Sequence, residues 1–127
     1  MTNEDLDEVV RYYIDMLQTV NGESALHSLM ELHFDCTECL KKAYFRESNP
    51  DIKQLIVHAI WQYRDRRLLN FLLDVLEHED TESVWQEALD GIITLRETGL
   101  LESLKDVSQK KQNCISEAIT LINRSYT

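Results

Sequence analysis

His33, Cys36 and Cys39 stand as H-x2-C-x2-C, the densest group of metal-ligating side chains in the chain. Two thiolates and an imidazole would fill three corners of a zinc tetrahedron and leave the fourth to be found elsewhere. No second close pair exists, and Cys114 is the only other thiol. The trio also falls across the end of one helical segment and the start of the next. The expectation is therefore buried or half-buried helical cysteines and no metal. A redox role for Cys36 and Cys39 would need a preceding strand in a βαβ pattern, which the sequence does not offer. His58 and His78 correspond, in an internal repeat, to Asp90 and Lys110, so no imidazole recurs. Ser24, Ser28 and Ser83 start or line helices, and neither G-x-S-x-G nor a glycine-rich phosphate loop is present. No enzyme signature emerges, and neither catalytic residues nor a cofactor are expected.

Recognition is the chemistry that remains. Asp and Glu are too abundant for any chosen pair to indicate a glycosidase dyad without geometry. More telling is which acids recur on one helix face: Asn70, Asp74 and Glu77 in one unit, then Glu102, Asp106 and Gln109 in the next. Thirteen Lys and Arg against twenty-three Asp and Glu give a net charge of −10. That balance disfavours nucleic acid and anionic membrane and favours a basic protein partner. Trp85 is the expected anchor, because its repeat counterpart is Lys53, an outward-looking position. An exposed Trp beside Glu82 and Glu87 would supply binding energy that rim charges alone lack; a Trp filling a groove would not. Trp61 is expected to pack between helices, while Tyr12, Tyr44 and Phe71 suit either core or surface.

The elements that must position these groups are helices. Residues 49–75 reappear at 81–107 under a shift of 32 residues without a gap, pairing Gln54, Ile60, Arg64, Leu68, Leu69, Leu72, Asp74 and Val75 with Gln86, Ile92, Arg96, Leu100, Leu101, Leu104, Asp106 and Val107. Most of these identities are apolar and at helical spacing, as in one helix–turn–helix unit used twice. One proline and three glycines in 127 residues, with 43% hydrophobic content, allow a packed all-α domain. A first helix starts near Asn3 with Leu6, Val9, Val10, Tyr13, Ile14 and Leu17 on one stripe. A second starts near Glu23 or Ser24, and a third is capped by Asp35 or Thr37 and broken at Ser48-Asn49-Pro50. Helices follow over about 50–64, 66–78, 82–96, 98–109 and 111–124, with Ala59 and Gly91 as close-contact points. The whole reads as one helical-repeat domain over 1–127, with units at about 49–80 and 81–110, a degenerate unit at about 24–48, and capping helices at both ends. The N-terminus lacks a secretion signal, no run of ~20 apolar residues occurs, and the cysteine number is odd, so a cytoplasmic protein with reduced thiols is expected.

From Pro50 to Glu79 and from Glu82 to Val107 the sequence resembles HEAT-type repeats: an acidic or proline-marked start, a first helix, an Arg-Asp or Gly corner, and a Leu-rich second helix. The period is shorter than the roughly 40–47 residues of the usual HEAT unit, as in compact bacterial variants. The stretch Val84-Trp85-Gln86-Glu87-Ala88-Leu89-Asp90-Gly91-Ile92 is similar to bacterial HEAT-like proteins encoded beside toxin genes. That resemblance implies a short α-solenoid of antiparallel helix pairs, about eight helices in all, whose second helices line a concave surface. It also implies an immunity protein of a contact-dependent or polymorphic toxin system, neutralising a basic toxin such as a nuclease through Asn70, Asp74, Glu77, Glu102, Asp106 and Trp85. The alternative is a small HEAT-like scaffold or adaptor without a toxin partner. HEAT-like DNA glycosylases would need a cationic channel, which the charge opposes; no bilin-handling site for a lyase is evident.

Overall fold

The computed structural model describes residues 3–32, 36–95 and 111, and among them every regular element is helical. The chain divides into two compact units, 1–63 and 64–127. The boundary falls inside the 49–80 sequence unit, so the two helical stretches of that unit belong to different compact bodies. None of the described helices is long and apolar enough to cross a membrane.

The first unit contains α1 (Asn3–Met16), α2 (Gly22–Met30), α3 (Thr37–Arg46) and α4 (Pro50–Trp61). Each begins where the chemistry of its first residues favours a start. Glu4 and Asp5 place negative charge in the first turn of α1. Gly22 opens α2 where the chain passes so close to the Leu17 carbonyl oxygen that a Cβ would collide with it. Asn49 caps α4, its side-chain oxygen accepting from the Asp51 N–H at 2.9 Å, with Pro50 at a position where no N–H is needed. At α3 the cap differs from expectation. Cys36 holds the N-cap position without a side-chain cap bond, Thr37 is buried within the first turn, and Asp35 lies outside the described residues.

Four pairings close this unit into a ring of contacts: α1 with α2, α3 with α4, α1 with α3, and α2 with α4. Val10, Leu17, Leu29, Leu40, Ile56, Val57, Ala59 and Ile60 form its interior. Tyr63 ties the end of the unit back to α2, its hydroxyl donating to the Leu29 carbonyl oxygen at 2.7 Å. Burial, and then the nearby Cys36 thiol, push this phenol from its ordinary 10.0 up to about 12.

In the second unit the expected helix over 66–78 starts as a 3-10 turn, Arg66–Leu68, before becoming α5 (Leu69–His78); α6 (Glu82–Leu95) follows and packs against it. Asp65 caps the turn, accepting from the Arg67 N–H at 2.9 Å and from its guanidinium at 3.0 and 2.8 Å. The Arg67 side chain, aided by its backbone N–H, draws the Asp65 carboxyl down to about 2. Leu68, Leu72, Val75, Leu76, Val84, Ala88 and Ile92 make the core, and Gly91 is buried as expected of a close-contact point. The expected helices over 98–109 and 111–124 lie outside the described residues, Lys111 excepted.

Removing one hydroxyl tests the Tyr63 tie. Tyr63→Phe should lower stability by about 1–2 kcal/mol in urea denaturation, since the half-buried Leu29 carbonyl loses its donor. The folded phenol resists ionising, so its contribution is present below pH 10.0 and is lost as pH rises through about 12. Absorbance titration of the five tyrosines should therefore show a late-ionising phenol in the parent protein that the variant has lost.

Candidate functional site

Residues 70, 74 and 77 recur at four and three positions, a spacing that returns to the same side of a helix. On α5 this places Asn70, Asp74 and Glu77 on one exposed face, while Phe71, Leu72, Val75 and Leu76 bury the other. The Asp74 and Glu77 carboxylates form no ion pair with any described residue. His78 donates from Nδ1 to the Asp74 carbonyl oxygen at 3.1 Å and extends the polar strip towards the helix end. Glu102 and Asp106, the second half of the expected ladder, lie outside the described residues, as does Gln109.

Trp85 does not look outward. It is 3% exposed, on a broad buried face of α6 shared with Val84, Ala88, Leu89 and Ile92. Among the described residues its indole N–H finds no hydrogen-bond partner. The Lys53 comparison misled for a physical reason: Lys53 itself is half-buried, its ammonium held 4.9 Å from the centroid of the Tyr44 ring. A lysine whose stem lies along an aromatic does not mark a solvent position. Trp85 is accordingly a core residue and leaves the set of partner-binding candidates.

What Trp85 packs against is a side chain that sequence reasoning passed over. Lys111 is 4% exposed, with its ammonium 5.4 Å from the Trp85 ring centroid. The same ammonium donates to the carbonyl oxygens of Leu76, of Glu79 at 2.7 Å and of Glu77 at 3.5 Å. The last carbonyls of a helix have no partner within it and carry the negative end of its dipole, so a cation with three N–H donors suits the C-terminus of α5. No spacing rule marks a contact between residues 32 to 35 apart, and the surrounding Lys110-Lys111 pair reads as surface in the sequence.

The chemistry-bearing cysteines are enclosed. Cys36 and Cys39 are both buried and not joined by a disulfide. Burial, followed by a hydrogen bond with Asp7, pushes the Cys39 thiol up, which favours its neutral form. Among the described residues no group of three His, Cys, Asp or Glu is arranged to hold a metal ion; His33 is not among them. His58 packs edge-on against Trp61, ring centroids 5.3 Å apart.

The exposed aromatics are elsewhere. Tyr12 on α1 is 61% exposed and meets Tyr13 edge to face at 5.4 Å; Phe45 on α3 is 70% exposed and meets Tyr44 at 5.1 Å. A signal for the first was present, since Val9, Tyr12, Tyr13 and Met16 form a second helical stripe beside Leu6, Val10, Ile14 and Leu17. Set against protein-family models, curated proteins and solved structures, the chain matches none.

Replacing the Lys111 cation tests the α5 terminus. Lys111→Met keeps most of the stem but leaves buried carbonyls without donors, and should cost about 2 kcal/mol, read as a lower urea midpoint.

Proposed function

We propose that this chain is an acidic protein-binding module, and specifically an immunity protein that captures and neutralises a basic bacterial toxin. The observation that carries the proposal is the exposed face of Asn70, Asp74 and Glu77, whose carboxylates have no ion pair among the described residues, on a molecule of net charge −10. Carboxylates of this kind attract a cationic protein from a distance and repel nucleic acid and anionic lipid. Speed matters for such a partner, because an unbound toxin damages its host.

A short HEAT-like solenoid is the architecture proposed to present this face. The contacts of the first unit support it: α1 packs on α3 and α2 on α4, as stacked helical hairpins require. A preformed helical surface loses little conformational freedom on binding. The enclosed Cys36 and Cys39 and the neutral Cys39 thiol favour binding over catalysis.

Coexpression with the product of the neighbouring gene is the direct test, with rescue of growth and a stable complex as the expected result. Reversing charge on the described part of the face refines it. Asp74→Lys with Glu77→Lys should leave the helical circular dichroism unchanged and slow association about tenfold at low salt, with the difference shrinking as salt is added. Equal association rates at low salt would remove α5 from the binding surface.

A further inference from the structure

α1 carries more apolar surface than its neighbours cover. Val10 is buried on it, as is Leu17 just past its end; Leu6, Val9, Tyr13, Ile14 and Met16 are half-exposed and Tyr12 is largely exposed. Val9, Tyr12, Tyr13 and Met16, at steps of three, one and three, form a continuous stripe along the helix. Two clefts share Tyr12 and Tyr13 as a common wall. One, about 240 Å³, is also lined by Met16, Ala25, Asn21, Ser24 and Ser28. The other, about 340 Å³, is lined by Val9 with Asp5 and Glu8. A cleft edged by hydroxyls and an amide and a cleft carrying two carboxylates therefore share the exposed Tyr12 and the half-exposed Tyr13.

We propose that these two clefts of α1 dock a basic segment of a partner protein, with an apolar side chain entering between Tyr12, Met16 and Ala25 and a lysine or arginine reaching Asp5 and Glu8. The proposal rests on the reading of the chain as an acidic binding module and gives it an aromatic anchor. Charge chooses the occupant. A second copy of the chain would bring one −10 molecule against another, and an anionic membrane would be repelled in the same way. Arg11 lines a separate cleft of about 220 Å³ with Ile14, Asp15, Arg46 and Glu47, where two cations face two carboxylates. A cation near Asp5 and Glu8 also lies within reach of the Tyr12 ring face, a further attraction. Tyrosine suits such a contact, giving a large apolar area with few rotatable bonds and a polar tip.

Three ten-residue peptides, alternating Lys-Leu, all-Lys and alternating Glu-Leu, serve as probes against the full chain by fluorescence anisotropy and amide shift mapping. The Lys-Leu peptide should bind at least about tenfold more tightly than either other peptide and move the signals of Val9, Tyr12, Tyr13, Met16 and Ser24. Tyr12→Ser should weaken it about tenfold and Glu8→Lys about threefold, with circular dichroism unchanged because both side chains are exposed. Equal binding of the Glu-Leu peptide would overturn the cationic occupant. Shifts confined to Asn70, Asp74 and Glu77, with weakening by Asp74→Lys but not by Tyr12→Ser, would overturn the α1 site and leave the acidic-module reading standing. Absence of binding by any peptide would overturn the α1 site, while coexpression rescue would still support that reading on its own. Self-association in sedimentation velocity that Tyr12→Ser abolishes would assign the clefts to a second copy instead.

Discussion

Helices of nine or ten residues do not hold in water by themselves. α2, α3 and α5 are of this length, and nucleating each would cost more than its few hydrogen bonds return. They persist because each buries one face against a neighbour. Leu29 on α2, Leu40 on α3 and Leu72 and Leu76 on α5 are fully buried. The exposed faces are then free to carry charge, which is why the acids of α5 sit opposite Leu72 and Leu76.

Burial also decides what its polar groups must do. In the second unit the Leu76, Glu77 and Glu79 carbonyls end a helix whose last turn is partly enclosed, and the Lys111 ammonium satisfies them while lying against Trp85. In the first unit the Tyr63 hydroxyl does the same for Leu29, and Asp7 and Cys39 share an enclosed spot in which the thiol stays neutral. These contacts fix which ends of helices meet. They also remove Cys36, Cys39, Trp85 and Lys111 from the chemistry available to a partner.

Among the described residues, the surface left for a partner is acidic and, at Tyr12 of α1 and Phe45 of α3, aromatic. The α5 and α1 surfaces lie in different compact units. Each combines an ordered helix with carboxylates, but only α1 adds a ring that a partner can cover. Association rate is governed by the summed field of the molecule and complex lifetime by a few desolvated anchors, so the two properties need not reside on one face.

Helix positions were legible in the sequence wherever a local rule sufficed. The Ser48-Asn49-Pro50 break, the start near Asn3 and the small residues Ala59 and Gly91 follow from backbone chemistry and period alone, and so does the common face of Asn70, Asp74 and Glu77. Only tertiary structure decided that Trp85 is core, that Lys111 is buried, and that Tyr12 stays exposed although Tyr13 beside it is half-covered. Periodicity orders side chains around one helix axis, but burial depends on how many neighbours that helix meets. α6 buries a face broad enough to take in Trp85, whereas α1 leaves its second apolar stripe open. The sequence by itself determined the helices, their charged faces and the net charge; which aromatics reach solvent was set by contacts between residues far apart in the chain, which no local spacing records.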